Sequence, residues 1–225
     1  MHFKVILMFF VAVLSLTCAA QTRLVMNLKA GKPQVLVVYG TSLSAGTGGV
    51  AWVDSVNCYF NNKYDGKLRV INSGKSAMWS AWGVQHLEDS VVNKQPDAVL
   101  MEFSMNDAFL SYHTSVELAE LNLNYIIDRL KIANPKCEVI LQVMNIPIRE
   151  HAKARPDLNA YYAMYRRVAS KRKLLLIDHF EDWNNILKAG EQEYLKYVPD
   201  GIHPDVGSAR KIIAPLVIKK LESGH

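Results

Sequence analysis

Residues 35–44 read VLVVYGTSLS, an apolar run that passes directly into a turn of glycine and hydroxyl residues. A run that is continuously apolar, instead of alternating with polar residues, is typical of a parallel strand covered on both faces. Similar runs recur along the chain, each separated from the next by a loop and an amphipathic helix. The five runs cover residues 35–39, 68–71, 98–103, 139–143 and 174–177. Strands that alternate with helices in this way predict an α/β fold with a doubly wound, five-stranded parallel sheet.

The clearest helix signal lies between the third and fourth runs. Thr114-Ser115-Val116-Glu117 has a capping-box pattern, and apolar residues then follow one helix face until Asn134-Pro135, where a helix is expected to stop. Two further helices are predicted over residues 158–171 and 206–221, the last with a kink at Pro215. No linker, repeat or low-complexity segment divides the chain, so we predict a single domain over residues 21–225.

The composition is that of an ordinary globular protein. Of 225 residues, 50% are hydrophobic and 21% are charged, which argues against disorder, a collagen-like chain and a disulfide-dense miniprotein. The formal net charge of +5 is mild for this length. It does not indicate a nucleic-acid partner.

Residues 1–20 have the pattern of a secretory signal peptide. Lys4 precedes an apolar run over residues 5–16, and Cys18-Ala19-Ala20 places small residues where a signal peptidase cuts. We predict cleavage after Ala20 and a secreted or periplasmic protein. The run is too short for a stable membrane span. A lipid anchor on Cys18 is the weaker alternative, because the residues before it fit a lipobox poorly.

Two cysteines lie beyond that segment, Cys58 and Cys137. We predict two buried free thiols, and pairing in an oxidising compartment is the alternative. No cluster of cysteine and histidine has zinc-site spacing, so no metal site is predicted.

Residues suited to acyl transfer follow the strands, at the sheet edge where parallel folds build their sites. Ser42 follows the first strand, Gly74 the second and Asn106 the third. Asp200 stands three residues before His203, ahead of the last helix. A serine hydroxyl is a weak nucleophile that needs a base, a role for His203 with Asp200 holding its tautomer. The backbone amides of Ser42 and Gly74 and the side-chain amide of Asn106 would bind the oxyanion.

These blocks, in this order and strand context, resemble the SGNH (GDSL-type) hydrolases. The likeness extends from about Gln34 to Leu221 and rests on Gly40-Thr41-Ser42-Leu43, Gly74, Asn106-Asp107 and Asp200-Gly201-Ile202-His203-Pro204. The resemblance implies a flavodoxin-like three-layer α/β/α sandwich and a serine esterase that needs no cofactor. It also implies Ser42 as nucleophile, Asp200 and His203 as the rest of a triad, and Gly74 and Asn106 as oxyanion donors.

The chain departs from the family pattern at two positions. Thr41 replaces an aspartate beside the nucleophile, and Ser104 replaces a glycine two residues before Asn106. Neither change touches the reacting atoms. We expect Thr41 to alter the hydrogen bonding near the serine, and the Ser104 side chain to alter the floor of the pocket.

Plainer interpretations exist for single residues. Ser42 alone would fit a helix-capping or phosphate-binding turn, and Asp200 or Asn106 alone would fit a helix cap. Trp79 and Trp82 follow the loop at Gly74 and are expected in the core, with an aromatic wall for a sugar ring as the alternative.

The expected function is hydrolysis of a small acyl ester, acetyl in the first instance, on a carbohydrate or small molecule. A lipase or lysophospholipase, a transacylase and an inactive carbohydrate-binding relative are the alternatives. A redox or nucleotide-binding flavodoxin-like protein is a further alternative, which would show a visible absorbance spectrum or a copurifying nucleotide. The expected assembly is a monomer or a homodimer.

Overall fold

The centre of the molecule is one sheet of five parallel strands, seen in a computed structural model that describes residues 21–224. The strands are β1 (Gln34–Gly40), β2 (Leu68–Asn72), β3 (Ala98–Glu102), β4 (Glu138–Val143) and β5 (Leu175–Asp178). Each coincides with one of the five apolar runs, and the sequence-based prediction of a five-stranded parallel sheet is confirmed. The predicted signal peptide, residues 1–20, lies outside the described residues.

The spatial order of the strands is β2-β1-β3-β4-β5. The chain therefore moves outward from β1 to β2 and returns to the other side of β1 as β3. This reversal is the topological switch point of a flavodoxin-like sheet, where the loops at the carboxyl ends of β1 and β3 diverge and leave a crevice. In the last rung between these two strands Gly40 pairs with Glu102, so the turn after β1 begins beside the end of β3.

Helices cover both faces of the sheet. One layer contains α1, α3 and α13, in which α13 contacts both α1 and α3, and the other contains α4, α7 and α9. The helices are α1 (Arg23–Lys29), α2 (Ser42–Ala45), α3 (Thr47–Lys63), α4 (Ser80–Gln85), α5 (Leu87–Ser90), α6 (Ser104–Asp107), α7 (Val116–Ala133), α8 (Arg149–Lys153), α9 (Leu158–Arg172), α10 (Phe180–Lys188), α11 (Glu191–Tyr194), α12 (Val206–Ser208) and α13 (Ala214–Ser223). Short 3₁₀ turns occur at Val92–Lys94 and Leu110–Tyr112.

Two helix predictions need correction in detail. The cap of α7 is Ser115, whose hydroxyl accepts the Leu118 amide, so the N-cap lies one residue later than the capping-box pattern implied. The predicted helix over 206–221 is divided into α12, a π-helical segment at Ala209–Ile213 and α13. Pro215 lies in the first turn of α13 and has no amide hydrogen for the carbonyl four residues earlier, which accounts for the wider turn before it.

The cysteine prediction is half right. Cys137 is buried and Cys58 is exposed on α3, and both are free thiols. Cys58 fell outside the core because α3 directs Val56 and Phe60 inward, which turns residue 58 to solvent. Among the described residues no helix is long and apolar enough to cross a membrane.

Candidate active site

The turn after β1 presents Ser42 at the start of a helix. Thr41 caps α2, its hydroxyl accepting the Leu43 amide at 3.1 Å, and Ser42 is the first helical residue. Leu43 and Ser44 are buried beneath the turn, while Ser42 is half-exposed. The Leu43 carbonyl accepts a hydrogen bond from the buried Trp52 indole at 2.9 Å, which fixes the turn to α3.

Asp200 and His203 form a second turn that faces the first. The Asp200 carboxylate oxygen Oδ1 accepts the backbone amides of Ile202 at 3.0 Å and of His203 at 2.7 Å. Gly201 between them has a φ of +85°, a conformation that favours glycine. His203 is therefore held at a defined place by its own aspartate, through the backbone as well as through the ring.

The two turns meet in a line of three side chains. Ser42 Oγ lies 2.8 Å from His203 Nε2, and His203 Nδ1 lies 2.6 Å from Asp200 Oδ2. Partial burial raises the pKa of the Asp200 carboxyl, but hydrogen bonds from His203 and Ile202 outweigh it and hold that pKa below its usual value. An ionised carboxylate only accepts, so Nδ1 carries the ring proton and Nε2 is left to accept the serine proton.

Close packing of glycine brings the two turns together. A Cβ on Gly48, near the start of α3, would lie 2.0 Å from the carbonyl oxygen of Pro204, which follows His203 directly. No other residue type would let α3 approach the histidine loop so closely. The Ser42–His203 contact therefore depends on Gly48, which has no side chain and takes no part in the reaction.

The three predicted oxyanion donors differ in whether their N–H groups are already hydrogen-bonded. No described residue accepts the Ser42 amide, which is one of the open donors at the start of α2. Asn106 is 6% exposed and its Nδ2 donates to the Met78 carbonyl at 2.8 Å, which orients the amide and leaves its second hydrogen for a ligand.

Gly74 is committed elsewhere. Its amide donates to Asn72 Oδ1 at 3.1 Å, and Asn72 Nδ2 donates to the Ser44 carbonyl at 2.7 Å. The Asn72 side chain thus ties the loop after β2 to the serine turn. To bind an oxyanion, Gly74 would have to share this hydrogen bond or release it.

Glu102 supplies the carboxylate that position 41 lacks. This residue ends β3, is 1% exposed, and accepts hydrogen bonds from the Thr41 amide at 2.6 Å and from the hydroxyls of Thr41 and Ser44. Burial raises the pKa of Glu102 to about 7. Glu102 has no role in the sequence-based prediction, although a charged residue inside the apolar run 98–103 is a usable signal of one.

Asp107 holds the neighbouring loop. It is buried, and its Oδ1 accepts the Ser80 amide at 2.8 Å, which joins α6 to the start of α4. Burial raises the pKa of Asp107 to about 7. Its neighbour Asn106 is thereby set on a rigid short helix.

A cavity of about 800 Å³ opens in front of Ser42 and His203. Asp200 and His203 keep about half of their side-chain surface exposed, so the reacting groups lie at an open mouth. The other residues that enclose the cavity are mainly small or apolar: Leu43, Gly46, Thr47, Gly48, Gly49, Ser76, Ala77, Asn106, Phe109, Tyr112, His151, Ala154, Arg155, Pro199, Ile202, Pro204, Asp205, Val206 and Ile213.

The alternative of an aromatic wall built from Trp79 and Trp82 does not hold for this cavity, whose aromatic lining comes from other residues. Phe109 and Tyr112 line the cavity, whereas Trp79 and Trp82 do not. Trp79 stacks behind Tyr112, with ring centroids 4.4 Å apart, and Trp82 stacks on His86 at 4.6 Å. Both tryptophans are half-buried: Trp82 packs against the core, and Trp79 packs on the cavity residue Tyr112. Within residues 21–224, no group of three or more His, Cys, Asp or Glu side chains could hold a metal ion.

Comparison of the sequence with known proteins identifies a family. Residues 38–207 match the model of the GDSL-like lipase/acylhydrolase family. The chain is 28% identical over 203 residues to the thioesterase 1/protease 1/lysophospholipase L1 of Escherichia coli K12, with 88% of each chain covered.

Two solved structures share the fold. They are an acetylxylan esterase, Axe2, of Geobacillus stearothermophilus (TM-score 0.72, 22% identity, 86% of this chain and 96% of that one) and a lipase/acylhydrolase of Enterococcus faecalis (TM-score 0.70, 21% identity, 85% and 96%). The family match spans most of this chain and includes the serine turn and the histidine turn. This protein therefore belongs to the GDSL-like lipase/acylhydrolase family and is a carboxylic ester hydrolase.

Proposed function

We propose that this protein is an exported serine esterase that removes a small acyl group, acetyl in the first instance, from a carbohydrate or small-molecule ester. The observation that carries the proposal is the line from Ser42 Oγ through the His203 ring to Asp200, with contacts of 2.8 and 2.6 Å. A nucleophile, a base and an orienting carboxylate in hydrogen-bond contact are the requirements for acyl transfer through an acyl-serine.

The proposed reaction has two halves. Ser42 Oγ attacks the ester carbonyl while its proton moves to His203 Nε2, and the tetrahedral oxyanion is bound by the Ser42 amide and by Asn106 Nδ2. His203 then returns the proton to the departing alkoxide, which leaves an acyl-serine. Water attacks that ester with His203 again as base, and the carboxylic acid departs. Gly74 joins as a third donor when it shares its bond to Asn72.

The open cavity mouth and the aromatic side chains of Phe109 and Tyr112 support a carbohydrate substrate. An exposed histidine and aspartate admit a bulky alcohol, and flat aromatic rings suit the faces of a sugar. The acetylxylan esterase among the structural neighbours is consistent with this choice. Export rests on the pattern of residues 1–20 and is tested by N-terminal sequencing of the mature protein.

A longer acyl chain is the second candidate. The cavity of about 800 Å³ has the apolar side chains of Leu43, Val206 and Ile213 along it, which would accept methylene groups. The lysophospholipase named among the relatives fits this alternative.

The test compares p-nitrophenyl acetate, butyrate and octanoate with wild type and Ser42→Ala. We expect hydrolysis that is fastest for acetate and that is lost in Ser42→Ala. Ser55→Ala, which removes a hydroxyl that donates to the Ala51 carbonyl on α3, is the matched control and should keep full activity. A preference for octanoate would favour the second candidate, and full activity of Ser42→Ala would overturn the serine mechanism.

A further inference from the structure

Arg155 is a buried cation in the wall of the cavity. It follows α8, is 8% exposed, and lines the same space as Ser42 and His203. Its Nε donates to the Met105 carbonyl at 2.8 Å and its Nη1 to the His151 carbonyl at 3.2 Å. The guanidinium carbon lies 4.7 Å from the centre of the Phe109 ring.

Within residues 21–224, no carboxylate forms an ion pair with Arg155. The ion pairs of the described residues place Arg149 with Glu191 and Arg166 with Asp178 at the surface, but none includes Arg155. Burial lowers the pKa of Arg155, yet a guanidinium stays protonated at neutral pH. A buried charge is costly unless it is paired, so this site has positive charge that two carbonyls and one ring only partly offset.

One nitrogen of the guanidinium has no hydrogen-bond partner within residues 21–224. Nη2 donates to no acceptor among residues 21–224, and it is not among the fully buried polar atoms that lack a partner. The two carboxylates in the same wall are engaged by their own turns: Asp200 holds His203, and Asp205 accepts the Ser208 amide at 2.7 Å. Arg155 thus has a free donor without an internal acid to use it.

The position of Arg155 relates it to the reacting ester. Its acceptor, the Met105 carbonyl, belongs to the peptide bond that precedes Asn106, the proposed oxyanion donor. Arg155 and Asn106 also line the same cavity, together with Ser42. An anion bound to Nη2 would therefore share this cavity with the reacting ester.

We propose that Arg155 forms an anion subsite, and that the natural ester has an acidic group, a carboxylate or a phosphate, close to the acyl ester. This inference rests on the proposed esterase function and specifies its substrate class. An acylated acidic sugar and a phosphate-bearing alcohol are the two sources of such an anion. A planar guanidinium with a free donor binds either oxyanion.

The test uses three aryl acetates that differ in charge: 4-acetoxybenzoate, its neutral methyl ester, and 4-acetoxyphenyl phosphate. Wild type should cleave at least one anionic ester with a kcat/KM about tenfold or more above that of the neutral one. Arg155→Gln should lower kcat/KM about 10- to 100-fold on the preferred anionic ester, mainly through KM, and less than threefold on the neutral ester. The better of the two anions identifies the source.

Two variants separate charge recognition from support of the fold. Arg155→Lys retains the charge and should recover part of the anion preference. Lys153→Gln removes a charge from an exposed residue two positions away and should leave the preference unchanged. An equal loss on charged and neutral esters in Arg155→Gln would mean that Arg155 only positions Asn106. Equal rates for the three esters in wild type would also overturn the proposal.

Binding separates failure of the subsite from failure of the esterase. In Ser42→Ala, calorimetry should detect 4-acetoxybenzoate or the phosphate ester, and Ser42→Ala/Arg155→Gln should lose that binding. Anion binding without ester hydrolysis in wild type would retain the subsite and reject the esterase. Ester hydrolysis without charge-dependent binding would retain the esterase and reject the anion subsite.

Discussion

Replacing Asp200 by asparagine tests the proposed triad without disturbing its backbone. An asparagine oxygen can still accept the amides of Ile202 and His203, now at 3.0 and 2.7 Å, so the turn should persist. Its NH₂ group, however, would face His203 Nδ1 where the carboxylate now lies 2.6 Å away. Two donors cannot share that contact, so the ring proton would move to Nε2.

The size of the effect follows from that tautomer. With a proton on Nε2, the atom 2.8 Å from Ser42 Oγ becomes a donor and cannot accept the serine proton. Loss of the productive tautomer typically lowers turnover about 10⁴-fold, which corresponds to about 5 kcal/mol of barrier. We expect kcat for p-nitrophenyl acetate to fall by this order, with KM and the thermal unfolding midpoint close to wild type.

The control is Asp54→Asn, which removes one carboxylate from an exposed position on α3. It should retain wild-type kcat and KM. A fall of less than about tenfold in a folded Asp200→Asn variant would refute the assignment of Asp200 as the group that orients His203. An equal fall of kcat in Asp54→Asn would show that the effect comes from the change in net charge.

Two further predictions concern the groups around the serine. Asn106→Ala should lower kcat on p-nitrophenyl acetate about 100-fold with little change in KM, because the oxyanion exists only after attack; an effect confined to KM would contradict this role. The pKa of Glu102 is about 7 in the folded state against an ordinary 4.5, so folding favours the protonated carboxyl. The contribution of this group to the free energy of unfolding is therefore fully present below pH 4.5 and is lost as pH rises to 7. The melting temperature of Glu102→Gln relative to wild type should therefore increase from pH 4.5 to 7, and a constant difference across that range would show that Glu102 does not titrate there.

The fold was largely readable from local pattern. Strands buried on both faces must be continuously apolar, and the five runs therefore identified the five strands. The same logic located the groups now found in contact, since parallel strands end at one edge of the sheet. Ser42 and His203 were predicted as partners from residue type and strand context, and they are 161 positions apart in the chain.

Other features depended on packing that no local pattern records. Glu102 reaches the Thr41 amide across 61 positions, because β1 and β3 are neighbours in register. Tyr112 and not Trp79 lines the cavity, because the two rings stack and Tyr112 is the one on the cavity side.

By itself the sequence determined the α/β class, the number of strands and the chemical types at their ends, since burial and periodicity constrain residues near one another in the chain. Only the tertiary structure decided that Gly74 is held by Asn72, that Arg155 faces the cavity without a carboxylate, and that Cys58 is exposed. These outcomes depend on contacts and on solvent access, which exist only once the sheet and its two helix layers are packed.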